Sequence, residues 1–281
     1  MYKKLVFVFL ALALTTLACG FQTNFPKMPT PGPVTTDEFS IKVPSGEANL
    51  TLGFGAGKLT LAPGSKNLVD GTAKYNVPDF KPIIKTEGNT TSITQGNFKM
   101  TGFPDLTNIK NEWDLKLGSA PMGLTINAGA YEGHYDFGGL ALTNLTISDG
   151  AAEVTADFSA ANPEKMNILT YKTGASNVTL KNLANANFAT LVFESGAGNY
   201  KLDFGGKLLR DGSATVRSGV SNVTLVIPAG VAATVKVSSG LSNVQFPSGW
   251  DKNEDTYTQK GTGPALTIIV EMGAGNVQIA Q

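Results

Sequence analysis

One cysteine, Cys19, and one histidine, His134, occur in 281 residues. A single thiol cannot form an internal disulfide. One imidazole without cysteine partners does not make a typical zinc site, and no HExxH spacing is present. Charge of one sign is missing too: 22 Lys and Arg balance 22 Asp and Glu, so there is no strongly basic face for nucleic acid. No nucleophile-elbow pattern accompanies His134. Glycine-rich turns such as Gly53 to Gly57 lead into strands rather than helices, so they are not phosphate loops. No cofactor or metal is expected.

The longest apolar run stands at the start. Lys3 and Lys4 precede an unbroken apolar stretch from Leu5 to Leu14, and Ala18 then leads into Cys19. The stretch falls short of the roughly 20 residues that cross a bilayer as a helix, and its three-part order is that of a secretory signal. Ala18-Cys19 resembles the lipobox of bacterial lipoproteins, with Thr16 at the position where Leu is usual. That resemblance implies a diacylglycerol on the Cys19 sulfur, often with a further acyl chain on its amine. Two or more chains give stable anchoring at about 0.8 kcal/mol per buried methylene. The expected location is extracytoplasmic, lipid-anchored to the cell membrane, or to the outer membrane where the host has one. Cleavage would remove Lys3 and Lys4 and leave 20 basic residues against 22 acidic ones.

Prolines between Pro26 and Pro33 then predict an extended tether. Beyond it helical signals nearly vanish, and short apolar alternations broken by Gly, Asn, Asp and Pro predict an all-β body. A repeat organises it. Gly129, Gly150, Gly174, Gly196, Gly219, Gly240 and Gly273 are spaced by 21, 24, 22, 23, 21 and 33 residues. Counting from each glycine, positions −5 and −3 are apolar (Leu169 and Tyr171, Leu191 and Phe193), as are +4 and +6 (Val178 and Leu180, Tyr200 and Leu202). Each unit reads as strand, tight turn, strand. One such unit cannot bury its apolar face alone, so successive units are expected to stack into a β-solenoid with repeats of about 22 residues. The same pattern surrounds Gly55.

The predicted organisation is a signal peptide (1–18), the lipidated cysteine and tether (19–37), a smaller all-β N-terminal domain (38–102) and the β-solenoid (103–281). The joint is placed between Phe103 and Lys110. Stacking predicts two ladders. Position +3 carries Asn177, Asn199, Asn222, Asn243 and Asn276, preceded by Glu132 and Glu153, and the amides should bond along the axis. Position +7 carries Asp136, Asp157, Lys181 and Asp203. This acidic row is the only constellation that suggests carboxylate catalysis, and a solvated face accounts for it better. The insert from Pro247 to Pro264 holds Trp250 and Tyr257, which are candidate binding residues but read better as a cap over the last coil. Trp113 reads as the matching cap before the first coil.

Leu52 to Leu61, followed by Leu68 to Asn76, resembles the N-terminal domain of the toast-rack proteins. Asn111 to Leu115, and units such as Gly196 to Phe204, resemble their solenoid domain and the C-terminal part of LiaF-type envelope-stress regulators. The resemblance implies a bacterial surface β-solenoid with no catalytic residues to carry across. LiaF-type proteins have membrane-spanning helices where this chain has a lipid-anchor signal. The expected function is a non-catalytic surface scaffold binding envelope protein or glycan. An envelope-stress regulator working through a membrane partner is the second expectation, and a polysaccharide-active enzyme the third.

Overall fold

The computed structural model describes residues 31–96 and 108–281; the expected leader, Cys19 and most of the expected joint lie outside the described residues. The described part is all-β. Sixteen strands form one sheet: β1 (Thr35–Ile41), β2 (Ala48–Ser65), β3 (Val69–Tyr75), β4 (Pro82–Glu87), β5 (Thr90–Gln95), β6 (Asn111–Gly118), β7 (Met122–Asp136), β8 (Leu142–Asp149), β9 (Ala151–Asp157), β10 (Met166–Lys181), β11 (Phe188–Asp203), β12 (Gly212–Val226), β13 (Ala232–Gln245), β14 (Asp251–Asn253), β15 (Thr256–Gln259) and β16 (Ala265–Ala280).

The coils are parallel and in register. Leu169 pairs with Leu191, Tyr171 with Phe193, Val178 with Tyr200 and Leu180 with Leu202. Instead of strand, turn, strand, most coils run as one long strand that changes face at the repeat glycine; only Gly150 separates two strands, β8 and β9. Side-chain parity requires the change. Tyr171 and Val178 are seven positions apart and would face opposite ways on a flat strand, yet both are buried. A bend at Gly174 turns both arms toward one interior.

The repeat glycines are required by close approach between coils. A Cβ on Gly174 would lie 2.4 Å from the Gly150 carbonyl oxygen, and one on Gly129 would lie 2.3 Å from that of Gly55. The connections between coils bury a further column, Phe137, Phe158, Phe204 and Ile227, with the first two rings 5.4 Å apart. Each such side chain contributes about 1.5–3 kcal/mol through burial.

Two features depart from a simple sequential stack. Among the described residues, strands from either side of the expected joint share one sheet: β2 pairs in parallel with β7 from Ala48 to Leu61. The second arm of β2 continues through β6 and then the antiparallel β3 and β1, while its first arm continues through β5 and β4. Trp113 on β6 is buried in this layer, edge-on to Phe54 at 5.1 Å. At the other end the last strand does not lie outermost. β16 inserts between β12 and β13, so the order is β12, β16, β13. Gly273 therefore packs on Gly219, and Gly240 on Gly273.

Candidate binding face

Alternation along the second arm sends positions +4 and +6 inward and +3, +5 and +7 outward. In-register stacking lines the outward residues into columns. At the C-terminal half, the +3 column is Asn177, Asn199, Asn222, Asn276 and Asn243, all exposed and paired strand to strand. Their amides form a directed chain: Asn199 Nδ2 donates to Asn177 Oδ1 at 2.9 Å, Asn222 to Asn199 at 2.9 Å and Asn276 to Asn222 at 2.7 Å. The +5 column beside it holds Thr155, Thr179, Lys201, Thr224 and Gln278.

Toward the N-terminus the same two columns become charged. Lys74, Glu112, Lys58, Glu132 and Glu153 continue the first, and Thr72, Asp114, Thr60 and His134 the second. Lys58 Nζ lies 3.3 Å from Glu132 Oε1, which is also 2.5 Å from His134 Nε2. The His134 hydrogen bond first, and the Lys58 hydrogen bond second, hold the Glu132 carboxyl below its ordinary range. Three hollows lie along this face. One of about 600 Å³ is lined by Glu38, Ser40, Asp70, Thr72, Asp114 and Lys116. The second, about 290 Å³, includes Lys58, Lys74 and Glu112. The third, about 470 Å³, includes Glu153, Asn177, Asn199 and Lys201. Eleven strands contribute, so the trough is about 48 Å long at ~4.8 Å per strand.

The acidic row closes turns. Asp136 Oδ1 accepts from Gly138 N–H (2.8 Å) and Ser159 Oγ (2.6 Å), Asp157 Oδ1 from Asn182 Nδ2 (2.7 Å), and Asp203 Oδ1 from Gly205 N–H (2.8 Å). Among the described residues no three His, Cys, Asp or Glu side chains converge to hold a metal ion. Trp250 and Tyr257 are 6% and 3% exposed. Tyr257 lies in β15 of the closing hairpin β14–β15, whose β15 pairs with the first arm of β13, and Trp250 immediately precedes β14. Both aromatics belong to the buried core cluster. Phe246, expected to point inward at +6, is 37% exposed because β13 is the outermost strand of its arm, and its ring lies tilted against Tyr257 with centroids 4.9 Å apart.

Two arrangements are not marked by the glycine repeat. Position −2, on the outer face of the first arm, carries Lys172, Glu194, Arg217 and Glu271 on neighbouring strands. They pair successively at 2.9, 3.5 and 2.7 Å. Inside the bend, Asp149 accepts from Tyr171 OH at 2.7 Å, Tyr131 OH at 3.3 Å and Thr173 Oγ1, while Tyr135 OH donates to Tyr131 OH at 2.9 Å. Burial first, and the nearby Tyr and Asp149 oxygens after it, push the Tyr131, Tyr135 and Tyr171 phenols well above their ordinary value.

Fold and face together define a β-solenoid with a polar outer trough. The chain belongs to the family described as the N-terminal domain of toast_rack, DUF2154, whose model matches residues 30–181. Its fold is similar to that of a candidate cell adhesion protein from Clostridium sporogenes: 20% identity, TM-score 0.53, covering 89% of this chain and 100% of that one. Weaker likeness extends to a candidate adhesin from Bacteroides fragilis (9% identity, TM-score 0.38, 89% and 98% coverage) and to a candidate lipid binding protein from Parabacteroides distasonis (12%, 0.38, 88% and 97%). No curated protein matches the chain.

Proposed function

We propose that this protein is a non-catalytic, lipid-anchored surface scaffold that binds an extended envelope polymer, glycan or protein, along the outer trough of its second arm. The observation that carries this reading is the trough itself: columns of amides, hydroxyls and paired charges held at strand spacing on a rigid sheet. A fixed array of donors and acceptors suits a partner that repeats along its own length, because many weak hydrogen bonds then form without reordering the protein. The commitment of Asp136, Asp157 and Asp203 to turn hydrogen bonds favours binding over acid–base chemistry. The anchor rests on the signal and Cys19, and the adhesion role of the Clostridium sporogenes protein is consistent with a surface location.

Binding to isolated envelope glycan and envelope protein fractions tests the reading. The chain should bind one of them, and Thr179→Trp with Lys201→Glu, two outward residues of the same hollow, should weaken that binding at least tenfold without altering the melting temperature. Equal binding by this variant would place the partner elsewhere. Turnover of a polysaccharide that Asp136→Asn abolishes would replace the scaffold with an enzyme.

A further inference from the structure

The sheet has four edges among the described residues, and three are guarded against further pairing. β1 carries Asp37 and Glu38, β4 carries Pro82, Lys85 and Glu87, and β14 is three residues long with Asp251 and Lys252. Charge, proline and shortness are the usual means by which an edge refuses another strand. The fourth edge, the second arm of β13, has none of them. The hairpin covers β13 only over Ala233–Lys236, with one further bond from Val237 N–H to the Asp255 carbonyl at 2.9 Å. Beyond that point Ser238 to Gln245 contains no charged residue and no proline. Its inner side is hydrogen-bonded to β16 through Gln245. Leu241, 81% exposed, stands at its bend in line with Val220, 65% exposed.

The geometry points to this edge as a pairing surface for a second copy of the same chain, joined edge to edge in antiparallel fashion about a two-fold axis near Leu241. An isologous contact needs one patch that complements itself, and an uncharged strand with open N–H and C=O groups does so through main-chain bonds alone. Head-to-tail growth is disfavoured, because the opposite edge, β1, presents Asp37 and Glu38. The 30 residues before Pro31 join at that β1 end, and prolines between Pro26 and Pro33 deprive their last stretch of donors, making it a poor strand partner. The pairing would leave both troughs open and double the number of binding faces in one particle, raising avidity for a long polymer.

Sedimentation of the full chain carrying Cys19→Ala, in mild detergent, tests the pairing independently of the anchor and of any ligand. The expected mass is that of a dimer, and Leu241→Lys should shift it to a monomer with an unchanged β-sheet circular dichroism spectrum. In the same background Leu241→Cys supplies the single thiol and should give a disulfide-linked dimer on oxidation, whereas Thr179→Cys on the trough should not. A monomeric parent chain, a dimer indifferent to Leu241→Lys, or equal crosslinking at position 179 would overturn the proposal.

Discussion

Arg217 and Glu271 are 54 positions apart, yet Arg217 Nε donates to Glu271 Oε2 at 2.7 Å. The contact exists because β16 threads between β12 and β13. In a sequential stack Arg217 would face Ser238 of β13, since Ser238 and Glu271 occupy the same register position. Solvent screens such an exposed ion pair, so its contribution is small. Glu271→Ala should therefore lower stability slightly, and should cost clearly less in a chain that already carries Arg217→Ala. A double-mutant cycle by urea unfolding reads this coupling; its absence would question the threaded order.

The glycine column gives a graded test. A Cβ would stand 2.4 Å from backbone oxygen at Gly174 but 3.2 Å at Gly150. Backbone cannot yield as a flexible side chain does, so Gly174→Ala should cost about 1–3 kcal/mol, the usual range for overpacking. Gly150→Ala should cost clearly less. Thermal melts of the two variants compare them directly.

The amide ladder also has a direction. Asn199 both donates and accepts, whereas Asn177, at the end of the ladder, accepts from Asn199. Asn199→Ala should cost about 1 kcal/mol, and Asn177→Ala about half as much, if each lost bond carries its typical net value. Equal effects would mean that the ladder adds nothing beyond strand pairing.

The phenols predict an alkaline response. Burial first, then Asp37, pushes Tyr75 up to about 12, and Tyr131, Tyr135, Tyr171 and Tyr200 are raised mainly by burial. A group whose folded pKa exceeds its unfolded value, about 10 for tyrosine, lends full stability below that value and loses it as pH rises toward the folded pKa. Unfolding free energy should accordingly fall above about pH 10. Phenolate absorbance of these five tyrosines should rise together with loss of β-sheet circular dichroism, rather than near pH 10 in the folded protein.

The coil interior was legible because it depends on periodicity. Leu169, Tyr171, Val178 and Leu180 recur at the same offsets in neighbouring coils, and the glycine between them marks the bend. The Asn column followed from the same offsets. Strand order was not legible from that pattern, since the coils around Gly219, Gly240 and Gly273 present equivalent apolar positions and any order buries them. The distinguishing signal lies outside the core, in the alternation Lys172, Glu194, Arg217, Glu271 at position −2. The Asp149 network was hidden for a different reason: Tyr131, Asp149 and Tyr171 hold unlike offsets in three coils and meet only once the strands bend. The trough needed the register of β1, β3 and β6, whose antiparallel pairing carries no repeat.

Cell fractionation of Cys19→Ala tests most directly whether this scaffold is tethered as its leader and tether imply. The parent chain should sediment with membranes and stay there at high salt, while Cys19→Ala should be released into the soluble fraction with its β-sheet spectrum and melting temperature intact. A Cys19→Ala chain whose leader has been removed, and which still sediments with membranes in the same proportion, would contradict the lipid-anchored scaffold.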